Sequence, residues 1–106
     1  MAEHNQVSIQ EVRIFVFLEA SPGLWLTNKA IAAANTEVAP RSVRAYTAKF
    51  VKLGLVDQAE LFLGYQYRWS EKAAKRNRAY LQRLQEAAKI FGVTGASQNP
   101  GEHHLM

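Results

Sequence analysis

Apolar residues recur at helical spacing along most of this chain and alternate with polar residues in one stretch. Ser8 to Glu11 has the Ser-x-x-Glu spacing of a capping box, which predicts a helix from Ser8 to about Ala20. Ser21-Pro22-Gly23 then ends it. The interior of this segment also has a strand-like composition, but its cap and length favour a helix.

The first helix is apolar around nearly its whole circumference. On a helical wheel one face carries Ile9, Val12, Phe15 and Val16, and the other side carries Ile14, Phe17 and Leu18. A helix of this kind is normally buried on more than one face. In a chain of 106 residues we expect the second face to contact another subunit.

Two further helices follow a short apolar run, which predicts a small strand near Leu26. Thr27 is a suitable N-cap for a helix over residues 28–34, and Ala30, Ile31 and Ala34 would form its inner face. The next helix starts with Pro40 in its first turn. It ends at Gly54, which suits the left-handed residue just past a helix terminus.

The helix that begins at Pro40 has two distinct faces. Val43, Tyr46 or Thr47, Phe50 and Leu53 repeat at helical spacing and can face a core. A second stripe combines three cations with two small residues: Arg41, Arg44, Ala45, Ala48 and Lys52. No acidic residue occurs between Arg41 and Val56. The stripe suits a helix that enters a DNA groove; the alternative is an ordinary amphipathic core helix.

After Gly54 the spacing of apolar residues changes from helical to alternating. Two strand-like runs, residues 55–62 and 65–69, are separated by Leu63-Gly64, which predicts a β-hairpin. Tyr65, Tyr67 and Trp69 share one face, and we expect them to pack on the core rather than stack on single-stranded bases.

Ser70 is the predicted N-cap of a long helix from about Glu71 to Phe91, ended by Gly92. Its first half is basic and its second half carries an apolar stripe. We therefore expect a dimer contact or an arm over residues 71–92, with a solvated charged face as the alternative. The termini, residues 1–7 and 93–106, lack periodicity, and we expect them to be flexible or disordered.

Charge is unevenly distributed along the chain. Residues 1–40 carry a net charge of −2, whereas residues 41–92 carry eleven basic and four acidic residues, a net charge of +7. This bias favours a polyanionic partner. Cysteine is absent, and no apolar run approaches the ~20 residues that span a membrane. We expect a soluble, cytoplasmic protein of one small domain.

The sequence offers little chemistry for an enzyme. It contains no glycine-rich phosphate loop and no nucleophile elbow. The pairs Glu3–His4 and His103–His104 lie close to the ends of the chain, and adjacent residues in a flexible tail seldom hold a metal. We expect no catalytic site, no cofactor and no metal.

Residues 8–70 resemble the winged helix-turn-helix family of DNA-binding domains. The resemblance rests on Thr27 to Ala32, on Ser42 to Tyr46, and on Phe50 to Val56, which resembles the family's usual passage from recognition helix to wing. It implies a mainly α fold with a small β-hairpin wing, here followed by a long C-terminal helix. It also implies a transcription regulator of bacterial, plasmid or phage type that binds double-stranded DNA as a homodimer.

The resemblance implies that the major groove is faced by Arg41, Ser42, Arg44, Ala45 and Ala48. It implies that the wing contributes Arg68 and Gln66. The predicted DNA-binding residues are Thr27, Lys29, Arg41, Ser42, Arg44, Ala45, Ala48, Lys49, Lys52, Gln66, Arg68, Lys72, Lys75 and Arg76. The apolar hairpin tip, residues 61–65, departs from the family, because it lacks the Arg or Lys that would enter a minor groove. Such a tip is also compatible with a protein contact.

Three functions remain open at this point. The first is a sequence-specific DNA-binding regulator. The second is a replication, partition or packaging protein that uses the same fold on repeated sites, and the third is a winged-helix module that binds another protein. The basic stripe favours the first two over the third.

Overall fold

The computed structural model describes residues 7–93 and shows four helices and a three-stranded antiparallel sheet in this part of the chain. The elements are α1 (Ile9–Glu19), β1 (Leu26–Thr27), α2 (Asn28–Ala34), α3 (Pro40–Lys52), β2 (Val56–Leu61), β3 (Gly64–Trp69) and α4 (Ala73–Phe91). The sequence-based expectations for residues 1–6 and 94–106 lie outside the described residues.

The first three helices begin where the sequence predicts, whereas α4 begins at Ala73, two residues after its predicted start, and the predicted cap Ser70 accepts a hydrogen bond from the Lys72 backbone N–H at 3.1 Å. The Ser8 hydroxyl accepts a hydrogen bond from the Glu11 backbone N–H at 3.1 Å, and the Thr27 hydroxyl accepts one from Ala30 at the same distance. Pro40 occupies the first position of α3, where a missing N–H leaves no hydrogen bond unmade. The Glu11 side chain does not complete the capping box, because its carboxylate bonds elsewhere in the fold.

The three strands of the sheet lie in the order β1-β3-β2. β2 and β3 form the predicted hairpin, in which Leu61 lies opposite Gly64 and Val56 lies opposite Trp69. Gly64 has φ +129°, a conformation that L side chains rarely adopt, so this turn requires glycine. β1 pairs with the far edge of β3, where Thr27 lies opposite Gln66.

The core is formed by α1 with α3, α4 and the sheet around it. Its largest fully buried side chains include Phe15, Phe50, Ile31, Leu55 and Leu84. The expectation that the second face of α1 contacts another subunit is wrong for its central residues. Ile14 and Leu18 are buried within the single chain, because α4 packs along α1.

Two inner faces differ in part from their predictions. In the hairpin, Tyr67 is buried and Trp69 packs edge-on against Phe15, with ring centroids 5.6 Å apart, but Tyr65 is half exposed. In α2 only Ile31 is buried; Ala30 and Ala34 are exposed. Asn35, at the C-cap of α2, takes their place on the buried side and donates a hydrogen bond to the Ile31 carbonyl at 2.8 Å.

α4 is interrupted near its start. Asn77 has non-helical dihedral angles, and its side chain accepts a hydrogen bond from the Tyr80 backbone N–H at 3.2 Å. This is the geometry of an N-cap, so a basic first turn precedes a separately capped helix that ends at the left-handed Gly92. None of the helices within residues 7–93 is long and apolar enough to cross a membrane.

Candidate nucleic-acid interface

The outer face of α3 carries the predicted DNA-binding stripe. Its cationic and small residues are all exposed: Arg41, Arg44, Ala45, Ala48 and Lys52. Ser42 is half-buried beside them. The inner face holds Val43, Thr47 and Phe50, each fully buried. The stripe therefore faces away from the domain, and its middle is free of bulky side chains.

A partly buried polar contact fixes α2 against α3. The Thr47 hydroxyl donates to the Asn28 side-chain oxygen at 2.7 Å and also contacts the Arg44 carbonyl at 3.1 Å. Asn28 is the first residue of α2, so this contact places the N-terminus of α2 beside the middle of α3. The predicted residues Thr27 and Lys29 lie at that end of α2, with Thr27 half-buried at the cap and Lys29 exposed.

Six of the predicted cations have no ion-pair partner among residues 7–93. They are Lys29, Arg41, Arg44, Lys52, Lys72 and Lys75, and all six are exposed. Three of them lie on α3, one on α2, and two at the start of α4. Their charges are available to a polyanion.

Lys49 takes part in a cluster of side chains from three helices of the chain. Its ammonium lies 3.0 Å from the Glu11 carboxylate, which is buried, and 5.1 Å from the centre of the Tyr80 ring. The Tyr80 hydroxyl donates to the same carboxylate oxygen, Glu11 Oε2, at 2.5 Å. The cluster ties α1, α3 and α4 together, so Lys49 supports the orientation of α3.

The pKa shifts in this cluster agree with its geometry. Burial and the Glu11 carboxylate raise the pKa of Tyr80, so its hydroxyl stays protonated and donating. Partial burial lowers the pKa of Lys49, but its contacts with Tyr80 and Glu11 outweigh this effect and the pKa is raised. Lys49 is therefore charged throughout the ordinary pH range.

Two further predicted cations meet at the base of the wing. Arg68 and Arg76 each contact one oxygen of Asp57, at 3.3 and 3.2 Å, and the Arg68 guanidinium lies 4.4 Å from the centre of the Trp25 ring. Arg76 also packs its Cβ against Gly54, at the end of α3. These contacts join β2, β3 and α4 and fix the basic first turn of α4 beside α3.

The wing itself exposes apolar rather than basic residues at its tip. Phe62 is 97% exposed and Leu63 is 88% exposed, and Leu61 and Tyr65 beside them are also exposed. Gln66, the other predicted wing residue, is half-buried between Thr27 and Ala59 in the sheet. The tip therefore differs in chemistry from the α3 stripe.

Sequence reasoning missed the residues that support the stripe from behind. Glu11 is interpreted from the sequence only as a capping residue, and its true partner Tyr80 is 69 positions away. Thr47 could have been recognised from the sequence, because a hydroxyl residue within the apolar stripe of α3 needs a hydrogen-bond partner. Asn28 gives none, since an asparagine beside a helix cap is common.

Comparison with solved structures shows which fold this arrangement has. A transcriptional regulator (MarR family) from Rhodococcus sp. RHA1 superposes with a TM-score of 0.51 at 14% sequence identity, covering 96% of this chain and 74% of that chain. The helix order, the sheet and the hairpin all agree with a winged helix. The chain has the winged helix fold.

A second winged helix comparison has a lower score. A MarR family protein from Bacillus stearothermophilus gives a TM-score of 0.46 at 17% identity over 80% of this chain, which spans 59% of that chain's length. No protein-family model matches the sequence, and no curated protein matches it. The likeness to the Rhodococcus protein extends to the fold, and the function rests on the site.

The described part of the chain shows no metal-binding arrangement. No group of three or more His, Asp or Glu side chains within residues 7–93 is placed to hold a metal ion.

Proposed function

We propose that this protein is a sequence-specific double-stranded DNA-binding protein, a transcriptional regulator that inserts α3 into the major groove. The observation that carries the proposal is the outward stripe of α3, with exposed cations at both ends and two exposed alanines between them. Arginine can donate two hydrogen bonds to a guanine edge, and small residues let a helix approach the floor of the groove.

The dimensions of the stripe support this proposal. Arg41 and Lys52 are eleven residues apart, which corresponds to about 16 Å along a helix. A major groove about 12 Å wide admits a helix of this kind. Arg41, Ser42 and Arg44 lie in the first turns, where a recognition helix usually meets base edges. Lys52 and the basic start of α4 would then contact phosphates.

Two copies on one DNA site would double the number of base contacts, and we propose a homodimer for this reason. The exposed apolar end of α4, Ile90 and Phe91, is the best candidate surface in the described part of the chain. A regulator that acts on bacterial, plasmid or phage DNA would work in the cytoplasm.

The test is selection from a random duplex library followed by sequencing. A reproducible consensus supports the proposal, and an inverted repeat in it supports the homodimer. Tandem arrays would favour the replication or partition alternative. Failure to retain any duplex above background at low salt would refute DNA binding, and retention without a consensus would refute sequence specificity.

A matched pair of arginine variants refines this test. Arg44→Ala should lower affinity for the consensus by roughly tenfold to a hundredfold but affect random duplex much less, because one arginine contact to guanine gives about 1–3 kcal/mol of discrimination. Arg78→Ala removes the same charge from an exposed position on α4. It should not change the ratio of the two affinities. Equal losses on both duplexes for Arg44→Ala would mean that Arg44 contacts only phosphate.

A further inference from the structure

The wing tip carries the two most exposed large apolar side chains in the described residues, and they are adjacent. Phe62 and Leu63 form the two-residue turn between β2 and β3, closed by the pairing of Leu61 with Gly64. The hairpin pairing holds the turn, so the two side chains project from a defined backbone rather than from a loose loop. Neither residue carries charge, and neither contributes to the core.

The strand register and one side-chain hydrogen bond connect the base of the wing to α3. Gln66 lies opposite Thr27, the cap of α2, and the next residue, Asn28, accepts the hydrogen bond of Thr47 in the middle of α3. β2 also packs directly against α3. Gln66 is therefore linked to the middle of α3 through Thr27 and Asn28, and the three residues from Gln66 to Leu63 extend the wing about 10 Å further. That reach exceeds the depth of a minor groove, about 7.5 Å.

The exposed apolar area of the tip indicates what kind of partner it can bind. A stable protein–protein interface buries about 800 Å² on each partner, whereas an aromatic side chain such as Phe62 buries only about 150–250 Å². Even with the partly exposed Leu61 and Tyr65 beside them, the side chains on this narrow turn fall short of that area. They match instead the apolar wedge with which some DNA-binding proteins separate one base step from the minor-groove side.

We propose that the wing tip is such a wedge: Phe62, supported by Leu63, enters the minor groove next to the site of α3, partly unstacks one base step and kinks the duplex. The proposal rests on the proposed DNA binding and adds a second activity to it, DNA bending. The occupant is the base stack of double-stranded DNA. Transfer of two apolar side chains out of water offsets the unstacking.

This wedge differs from a cationic wing in a measurable way. It neutralises no phosphate, so it releases no counterion and leaves the salt dependence of binding unchanged. The exposed Glu60 on β2 carries a negative charge and therefore makes no phosphate contact at this position. The expected signature is a bend in the DNA that does not depend on the charges of α3.

The experiment uses the full chain on a tethered duplex of random sequence, several persistence lengths long, with the excursion of the free end recorded at rising protein concentration. The wild-type protein should shorten the excursion. Phe62→Ser should abolish the shortening and keep the same slope of log affinity against log salt. The affinity should change by less than about tenfold, because the variant loses the apolar contact but also avoids the cost of unstacking a base step. Binding is followed in parallel by fluorescence anisotropy.

Two control variants separate the wedge from other effects. Phe62→Trp keeps a large planar wedge and should still shorten the tether. Leu24→Ser removes an exposed apolar side chain from the segment before β1, 56% exposed, and should behave as wild type. Circular dichroism of each variant checks that the domain is folded.

Each remaining outcome contradicts a stated part of the reasoning. Shortening by Phe62→Ser equal to wild type would overturn the wedge while leaving DNA binding intact. Loss of shortening accompanied by loss of self-association in sedimentation would assign the tip to a protein contact and likewise overturn it. Absence of binding by the wild-type protein would refute the proposed function itself.

Discussion

Tyr80→Phe is a direct test of the cluster that holds α3 in place. The Tyr80 hydroxyl donates to the Glu11 carboxylate, whose side chain is only 4% exposed, and Lys49 approaches the same oxygen from α3. The substitution removes one oxygen atom and leaves the ring, so it deletes the hydrogen bond and little else.

The size of the effect follows from the burial of Glu11. A hydrogen bond to a charged group contributes about 1.5–3 kcal/mol, and loss of a donor leaves a buried carboxylate with one partner fewer. Lys49 and water at its exposed side compensate in part, since the Lys49 side chain is 44% exposed. We expect a loss of about 2 kcal/mol in the free energy of unfolding, which lowers Tm by roughly 10 °C in a domain of this size.

The assay is urea unfolding followed by circular dichroism, with Tyr46→Phe as the matched control. The Tyr46 hydroxyl contacts the Ser8 hydroxyl at 3.0 Å in an exposed position, so its loss should change stability by less than about 1 kcal/mol. The midpoint should fall for Tyr80→Phe without a change in the slope m. A double-mutant cycle with Glu11→Gln should give a coupling energy of about 1 kcal/mol or more.

The pH dependence has a definite sign. Because the folded-state pKa of Tyr80 is raised, the stability it contributes is present below the ordinary tyrosine pKa and is lost as pH rises through the raised value. The difference between wild type and Tyr80→Phe should therefore shrink above roughly pH 10. Equal stability of the two Tyr→Phe variants at pH 7 would refute the view that this cluster holds the helices together.

Three further substitutions test other contacts. Thr47→Val should lower the free energy of unfolding by about 1–2 kcal/mol in urea, because Asn28 loses its buried donor; an unchanged midpoint would contradict this. Gly54→Ala should cost about 2 kcal/mol or more, since φ is +80° and a Cβ would lie 2.9 Å from that of Arg76, whereas Gly23→Ala, at the same φ but in open space, should cost less. Burial raises the pKa of Glu19, so its charged form destabilises the fold at neutral pH; Glu19→Gln should raise Tm at pH 7, and this advantage should disappear as pH falls through the carboxyl range.

The parts of the fold that depend on local chemistry could be predicted from the sequence. The caps at Ser8 and Thr27, the proline start of α3 and the turn at Gly64 each follow from hydrogen bonds or dihedral angles within a few residues. The outward stripe of α3 also followed, because charged and apolar residues separate cleanly on that helix.

The parts that depend on long-range packing could not be predicted in the same way. Periodicity indicated that α1 is buried on both faces, but not that α4 of the same chain covers the second one. The break at Asn77 was missed because residues 71–91 are good helix formers on both sides of it. The ion pairs of Lys49, Arg68 and Arg76 involve partners that only the folded chain brings near.

The two exposed alanines of α3 have a consequence for how this protein could change. Ala45 and Ala48 contribute nothing to the core, and no neighbouring element covers them. Larger polar side chains at these positions would alter the surface without disturbing Val43, Thr47 or Phe50 behind it. Under the proposed function, changing these two residues would therefore alter the DNA sequence that the domain binds while leaving its stability unchanged.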